Sequence, residues 1–382
     1  MTDTTGIGSD HTKREIAQQP RVWAEVREAV ERERGRIDEF LDEVVPRGAR
    51  IVLTGAGTSA FIGQILEPAL GRSLGRRVDA IATTDIVSDP RAAFAEDIPT
   101  LLVSFARSGR SPESVAATQL ADQLLSRVHH LIITCDVTGD LYKVHSARSG
   151  DLVLVTPEGT NDQSFAMTSS FSSMLLTALL AFEPGHASGV TAISAAGEWG
   201  LASGADRARA AGETAFDRIV YLGSGALTGL ARESALKLLE LTAGRVVGVH
   251  DSSLGFRHGP KSILDDRTLV VVYVSSDPYT RHYDIDILAE LRDTTGRHEV
   301  VAVAADGIGI EGVESWIVPG VPTLPDELLA LPYVVFAQQV ALWQSQRLGI
   351  TTDNPFPSGD VNRVVQGVTI HPLEGVSAGS SR

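Results

Sequence analysis

Five consecutive residues, Arg107-Ser108-Gly109-Arg110-Ser111, place two hydroxyls, two guanidinium groups and a glycine in one short loop. Pro112 and Glu113 follow, and proline suits the first turn of a helix, where its missing N–H costs nothing. Free backbone N–H groups at a helix start face the loop, and the helix dipole favours an anion there. The residue types together make a phosphate cradle. The apolar run before it, Thr100-Leu-Leu-Val-Ser-Phe105, reads as a buried strand. A local basic loop on a chain of net charge −15 points to a small anionic ligand. Nucleic acid would call for a broad basic surface instead.

A second turn, Gly55-Ala56-Gly57-Thr58-Ser59, follows Ile51-Val-Leu and precedes a helical stretch. It exposes backbone N–H groups and the Ser59 hydroxyl. The rival reading is a dinucleotide fingerprint. Ala60 stands where that motif needs its third glycine, and Gly63 does not restore the spacing. Asp79, at the distance of the expected ribose-binding acid, falls near the start of a short strand over 78–82 rather than at its end. Two hydroxyl-rich loops in one sheet favour a phosphosugar over a nicotinamide. Simple turn geometry would also account for each glycine.

Three further clusters could carry chemistry. Thr168, Ser169 and Ser170 precede an apolar helix ending at Phe182, where their hydroxyls either cap the helix or bind sugar hydroxyls. Glu233, Lys237 and Glu240 fall on one side of an amphipathic helix, as a solvated ion-pair face or with Glu240 as a general base facing a pocket. His258, between Arg257 and Gly259-Pro260, does not read as a core residue, and its imidazole suits proton transfer at neutral pH. A metal site is not expected. No two histidines have helical ligand spacing, and the adjacent His129 and His130 are read as straddling a helix-to-strand boundary.

These residues need a scaffold, and the sequence repeats one. Arg50-Ile-Val-Leu-Thr-Gly-Ala-Gly57 resembles Arg218-Ile-Val-Tyr-Leu-Gly-Ser-Gly225, an offset of 168 (218 − 50). Thr100 and Thr268 open matching apolar runs at the same offset, as do His130 and His298. Each half reads as strand, glycine turn, helix, strand, loop, helix, strand, implying a parallel sheet covered on both faces. The second copy has Ser275-Ser-Asp277-Pro-Tyr279 where the first has its cradle, so Asp277 would repel phosphate there. We therefore expect a helical segment over 1–45, a phosphate-binding α/β domain over 46–190, a second over 213–350 and a tail over 351–382. The Gly-, Ala- and Ser-rich stretch 184–212 is read as containing the connection between domains. The segment 353–360 cannot be regular helix, and an extended piece over 363–370 should follow it.

With 382 residues, 43% of them hydrophobic, the chain can build an ample core. Cys135 is the sole cysteine, which excludes an intrachain disulfide and fits a reducing cytoplasm. No apolar run is long enough to span a bilayer, and no cleavable leader is recognisable.

The paired Gly-x-Gly-Thr-Ser and Ser-Gly-x-Ser motifs resemble tandem sugar isomerase (SIS) domains, each a three-layer α/β/α unit, over about residues 35–370. Ser104-Phe-Ala-Arg-Ser-Gly-Arg-Ser-Pro-Glu-Ser, Phe256-Arg-His-Gly-Pro-Lys and Asp353-Asn-Pro-Phe-Pro-Ser-Gly-Asp-Val-Asn-Arg-Val-Val-Gln-Gly-Val are similar to the AgaS-type galactosamine-6-phosphate deaminase/isomerase branch. The resemblance, extended to the isomerase half of glucosamine-6-phosphate synthase, implies phosphate binding by Gly57, Thr58, Ser59, Arg107, Ser108, Gly109 and Ser111, with Ser169 as a further substrate ligand. It implies that Glu240 moves a proton between C1 and C2, and that His258, supplied by a neighbouring subunit of a homodimer or larger assembly, opens the sugar ring. Where that relative has a Schiff-base lysine, this tail offers Gln366. The substrate's own amine would then supply the imine nitrogen, and no cofactor is implied. The reaction this resemblance implies is conversion of galactosamine 6-phosphate to tagatose 6-phosphate and ammonia; the alternatives are simple aldose–ketose isomerisation and a non-catalytic phosphosugar-sensing role, and no DNA-binding extension is evident.

Overall fold

The computed structural model describes residues 8–45, 48–294, 299–306, 311–365 and 367–374. In chain order the elements are α1 (Asp10–Arg32), α2 (Arg34–Val44), β1 (Arg50–Thr54), α3 (Thr58–Leu74), β2 (Val78–Ala80), α4 (Thr83–Ser88), α5 (Pro90–Ala93), β3 (Thr100–Ala106), α6 (Pro112–Leu124), β4 (Val128–Thr134), α7 (Asp140–His145), β5 (Leu152–Val155) and α8 (Ser169–Phe182). There follow α9 (Val190–Leu201), α10 (Ala205–Glu213), β6 (Arg218–Gly223), α11 (Ala226–Leu241), β7 (Val247–Asp251), β8 (Thr268–Tyr273), α12 (Pro278–Asp293), β9 (Glu299–Ala305), β10 (Glu314–Val318) and α13 (Asp326–Arg347).

Two five-stranded parallel sheets result, β2-β1-β3-β4-β5 and β7-β6-β8-β9-β10, the same topology twice. The all-apolar runs in β3 and β8 are buried at every position, as expected of strands covered on both faces. Each sheet belongs to its own compact unit. Among the described residues, the first-sheet unit holds those within 25–161, 173–184 and 361–374, and the second-sheet unit those within 8–24, 162–172 and 185–360.

Strand order reverses between β1 and β3, and at such a switch point the loops leaving the carboxyl ends bind ligands. Thr54 and Ser104 are register partners, so the turn after β1 and the loop after β3 leave the sheet side by side. The 168-residue offset holds exactly for the first two strands of the repeat and slips at the third. Leu101 pairs with His129, whereas Leu269 pairs with Glu299, so the second copy reaches this strand two residues later. His298 lies outside the described residues.

Other expectations need adjustment. His129 and His130 both lie inside β4, four or more residues beyond the end of α6, and do not straddle a boundary. The chain passes from the first-sheet unit to the second-sheet unit at 184/185, inside the 184–212 stretch, and the rest of that stretch is folded. It forms a 3₁₀ turn, α9 and most of α10, with Val190, Ile193 and Ala208 fully buried in the second-sheet unit. Its small residues serve close packing: a Cβ on Gly212 would sit 2.3 Å from the Trp343 Cβ. The helical lead-in is two helices, with Trp23, Val26 and Ile37 fully buried. The tail over 353–360 has no regular structure, as proline and glycine require, but 363–370 joins no strand among the described residues. Leu373 instead packs on the cluster of Val52, Leu102 and Ala117, and the Gln123 amide donates to its carbonyl.

Candidate functional site

The first-sheet loops are built as their composition demands. Gly109 adopts φ +63°, a conformation glycine reaches without strain. Its carbonyl accepts from Leu141 N at 3.1 Å, tying the loop to the start of α7. Gly139 makes the approach possible, since a Cβ there would lie 2.2 Å from the Ser108 carbonyl oxygen. Ser111 is the N-cap of α6 in extended conformation and Pro112 its first helical residue. The Ser111 hydroxyl does not cap the helix. It lies 2.6 Å from the Ser114 hydroxyl. Ser108 and Ser111 are half-buried, within reach of a ligand from solvent.

The two arginines differ. Arg107 is buried and donates to the Arg363 carbonyl at 3.1 Å. Arg110 is exposed and bridges to Asp136 at 2.8 Å. Burial pushes the Asp136 carboxyl up, but hydrogen bonds from Thr138 and the Arg110 guanidinium more than offset this and hold it below its ordinary value. The cradle's net positive charge is therefore smaller than its sequence suggests. Gly57, at φ +54°, is the N-cap of α3, and Thr58 and Ser59 occupy its buried first turn. Asp79, the weighed ribose acid, pairs with Arg77 at 2.9 Å.

Residues that the sequence did not single out surround these loops. Thr54 at the end of β1 and Ser104, its register partner two residues before the end of β3, carry buried hydroxyls with no hydrogen-bond partner among the described residues. So does the Glu113 Oε2 in the first turn of α6. Only their positions at strand ends and helix start could have flagged them.

In the second-sheet unit, α11 carries Glu233, Lys237 and Glu240. The solvated-face reading fails, because Glu233 and Lys237 are fully buried. Lys237 Nζ lies 2.5 Å from Glu240 and 3.5 Å from Glu233, while Glu240 keeps a quarter of its side chain exposed. A buried ammonium thus orients a carboxylate that solutes can still reach. His258 sits between two 3₁₀ turns, Gly255–Arg257 and Pro260–Ile263, and is exposed. Its flanks are anchored: Phe256 is fully buried, and Arg257 and Lys261 both bind Glu290. Gln366 lies outside the described residues.

Ser169 is fully buried, and its hydroxyl donates to Asp162 and accepts from Gln18 at 2.7 Å. Asp162 also accepts from the Thr168 and Ser170 N–H groups, each at 2.8 Å. The cap is thus the Asp162 carboxylate, and the Thr168, Ser169 and Ser170 hydroxyls donate to it instead of capping the helix themselves.

The second copy differs at its corresponding strand ends. Asp277 caps α12, accepting from Thr280 N at 2.8 Å. The place where an anion would sit is served by the chain's own carboxylates. Asp284 is fully buried and accepts from Ser224 at 2.6 Å, Ser253 at 2.5 Å and the Ser275 N–H at 3.0 Å. Asp326 accepts from the Ser275 hydroxyl and from the Ser276 N–H at 2.7 Å. Burial raises the Asp284 carboxyl above its ordinary value, opposed by its hydroxyl and N–H donors and assisted by Asp326.

A duplicated parallel sheet with a serine-lined anion loop defines a sugar isomerase class of fold, and residues 46–184 match the SIS domain family model. Over 368 residues the chain is 59% identical to a protein of Streptomyces coelicolor, covering 95% of this chain and 96% of that one. It is 45% identical to the D-galactosamine-6-phosphate deaminase AgaS of Escherichia coli, with 95% and 96% covered. The solved tagatose-6-phosphate ketose/aldose isomerase of Escherichia coli superposes with a TM-score of 0.90 at 41% identity, covering 98% of this chain and 99% of that one. The chain belongs to the AgaS family of SIS-domain proteins.

Proposed function

We propose that the protein is an aminosugar-phosphate deaminase/isomerase that converts D-galactosamine 6-phosphate to D-tagatose 6-phosphate and ammonia. The observation that carries this reading is Glu240, a quarter exposed and held at 2.5 Å by the buried Lys237 ammonium. A fixed, reachable carboxylate is what proton transfer between adjacent carbons needs. The substrate class follows from the names of the relatives and from the hydroxyl-rich loop beside β1.

Gly57, Thr58, Ser59, Arg107, Ser108, Gly109 and Ser111 bind the 6-phosphate, and this remote contact orients the reacting carbons. His258 transfers the proton that opens the ring. Glu240 removes the C2 proton from the open-chain aldehyde and returns it at C1, leaving a C1 alcohol and a C2 imine. Water adds to C2, the C–N bond breaks, and ammonia leaves with the ketose. The nitrogen comes from the substrate, so the route needs no lysine Schiff base. An exposed His258 serving a neighbouring subunit makes the active form a homodimer or a larger homo-oligomer. A single cysteine, which allows no intrachain disulfide, fits a cytoplasmic setting. No helix among the described residues is long and apolar enough to cross a membrane.

Ammonia release from purified protein tests the reading, with galactosamine 6-phosphate, glucosamine 6-phosphate and N-acetylgalactosamine 6-phosphate supplied separately. Release from the galacto free amine alone supports it. Turnover of tagatose 6-phosphate without ammonia from any amine would favour simple isomerisation. Tight binding without turnover would favour sensing.

A further inference from the structure

The face of the first sheet that α4 and α6 cover ends in a buried polar cluster that the proposed chemistry does not use. Val52 of β1 and Leu102 of β3 share one apolar cluster with Ile86 of α4 and Ala117 and Ala121 of α6. Thr54 and Ser104 lie two residues further along their strands, so they take the same face one layer nearer the carboxyl ends. Thr83 stands three residues before Ile86 and Glu113 four before Ala117, which puts both on the inward face of a first helical turn. The Thr83 N–H donates to the Gly55 carbonyl at 2.8 Å, fixing the start of α4 beside the residue that follows Thr54. Thr54, Thr83 and Ser104 are at most 2% exposed, and Glu113 is 8% exposed. The three hydroxyls and the Glu113 Oε2 are all buried with no hydrogen-bond partner among the described residues. Four such atoms at one level call for a ligand, and a buried carboxylate oxygen without a donor is the costliest of them.

We propose that Thr54, Thr83, Ser104 and Glu113 bind one monovalent inorganic cation beneath the phosphate loop. All four groups offer oxygen, which suits a hard cation and not zinc or copper. The cluster has one carboxylate, so a single positive charge neutralises it. Magnesium would leave excess charge in a buried place and holds on to several of its waters. Ordered water would satisfy the hydroxyls but not the charge. Ammonium, which the proposed reaction releases, carries the same charge as potassium and can donate to all four oxygens.

The charge matters because Glu113 follows Ser111 by two residues, in the turn of α6 that faces the phosphate cradle. Like charges repel strongly where water is excluded. Of the two arginines in the loop, Arg110 is paired with Asp136, which leaves Arg107 to answer both a phosphate and Glu113. A bound cation neutralises Glu113, so phosphosugar affinity depends on that cation. This effect on affinity rests on the phosphate placement proposed above; the site itself does not.

The test uses full-length protein exchanged into tetramethylammonium chloride, whose cation is too large for a buried site. Potassium, sodium and ammonium chlorides are titrated in separately at constant ionic strength, without phosphate, while Tm is followed. At least one should raise Tm saturably by roughly 2 °C or more, and the ion acting at the lowest concentration is the occupant. Glu113→Gln keeps the shape, removes the charge and should abolish the rise. Thr83→Val deletes one hydroxyl and should weaken the rise; it decides the matter if circular dichroism shows Glu113→Gln unfolded. Inorganic phosphate should bind roughly tenfold or more weakly in tetramethylammonium, by calorimetry, and equally in both salts in Glu113→Gln. No saturable rise, a rise unchanged in the folded variant, or a rise given by magnesium alone would overturn the site. Phosphate that binds in no salt would sink the phosphate placement, while the melting titration still decides the cation.

Discussion

Replacing Lys237 by methionine tests the energetics of α11 directly. The substitution keeps chain length and apolar stem but deletes the ammonium that lies 2.5 Å from Glu240 and 3.5 Å from Glu233. Glu240 is a quarter exposed, so water can replace part of what it loses. Glu233 is fully buried and cannot be hydrated without opening the helix. Breaking one side of such a buried pair costs about 3–5 kcal/mol. On the usual scale for sizeable domains that is a fall in Tm of roughly 6–20 °C. Removing the charge of Glu233 as well, in Glu233→Gln/Lys237→Met, should recover most of the stability, because neutral or apolar replacement of a whole buried pair is often nearly neutral. Turnover should stay depressed in both variants, since neither orients Glu240. Thermal and urea unfolding followed by near-ultraviolet circular dichroism, with kcat measured alongside, separates the two effects. A single variant within about 1 kcal/mol of the unmodified protein would refute the argument that a buried ion pair organises this helix.

Glu240→Gln should retain substrate binding while kcat falls by about 10²–10⁴-fold, and near-normal kcat would remove Glu240 from proton transfer. Ser108→Ala combined with Ser111→Ala should mainly raise KM, read from initial rates; an unchanged KM places the phosphate elsewhere. Gly139→Ala, whose new Cβ would meet the Ser108 carbonyl at 2.2 Å, should displace the loop and weaken inorganic phosphate binding in calorimetry. Asp284 gives a pH signature. Its carboxyl is raised in the folded state, so folding binds its proton more tightly than the unfolded chain does. Its contribution is most favourable below the ordinary value of 3.8 and declines as pH rises through the folded value. The Tm difference between the unmodified protein and Asp284→Asn should shift across that window and level off above it.

Much of the scaffold was legible because its signals are local. Apolar runs, glycine turns and a two-strand repeat at one offset define parallel sheets without any knowledge of contacts. The third strand slipped by two residues because the repeat is set by pairing register, which sequence matching does not see. The composition of 184–212 did not reveal the helices it forms, where small residues let Trp343 and other large rings approach closely. Loop residues such as Ser108 and Ser111 were readable from type and spacing. The burial of Lys237 was not, since a charged helical face reads as solvated until β7 and α13 are known to cover α11.

The carboxylates of the second sheet have a consequence for how the protein responds to scarcity. A fold copy whose strand-end hydroxyls are already satisfied by Asp284 and Asp326 brings its own counter-ion. These strand-end hydroxyls are satisfied without a ligand. The first copy leaves the Thr54 and Ser104 hydroxyls without a partner among the described residues, so a ligand that met them should add to its stability. With the phosphate bound as proposed, saturating phosphosugar should protect the first-sheet loops from proteolysis more than it protects the strand ends around Asp284.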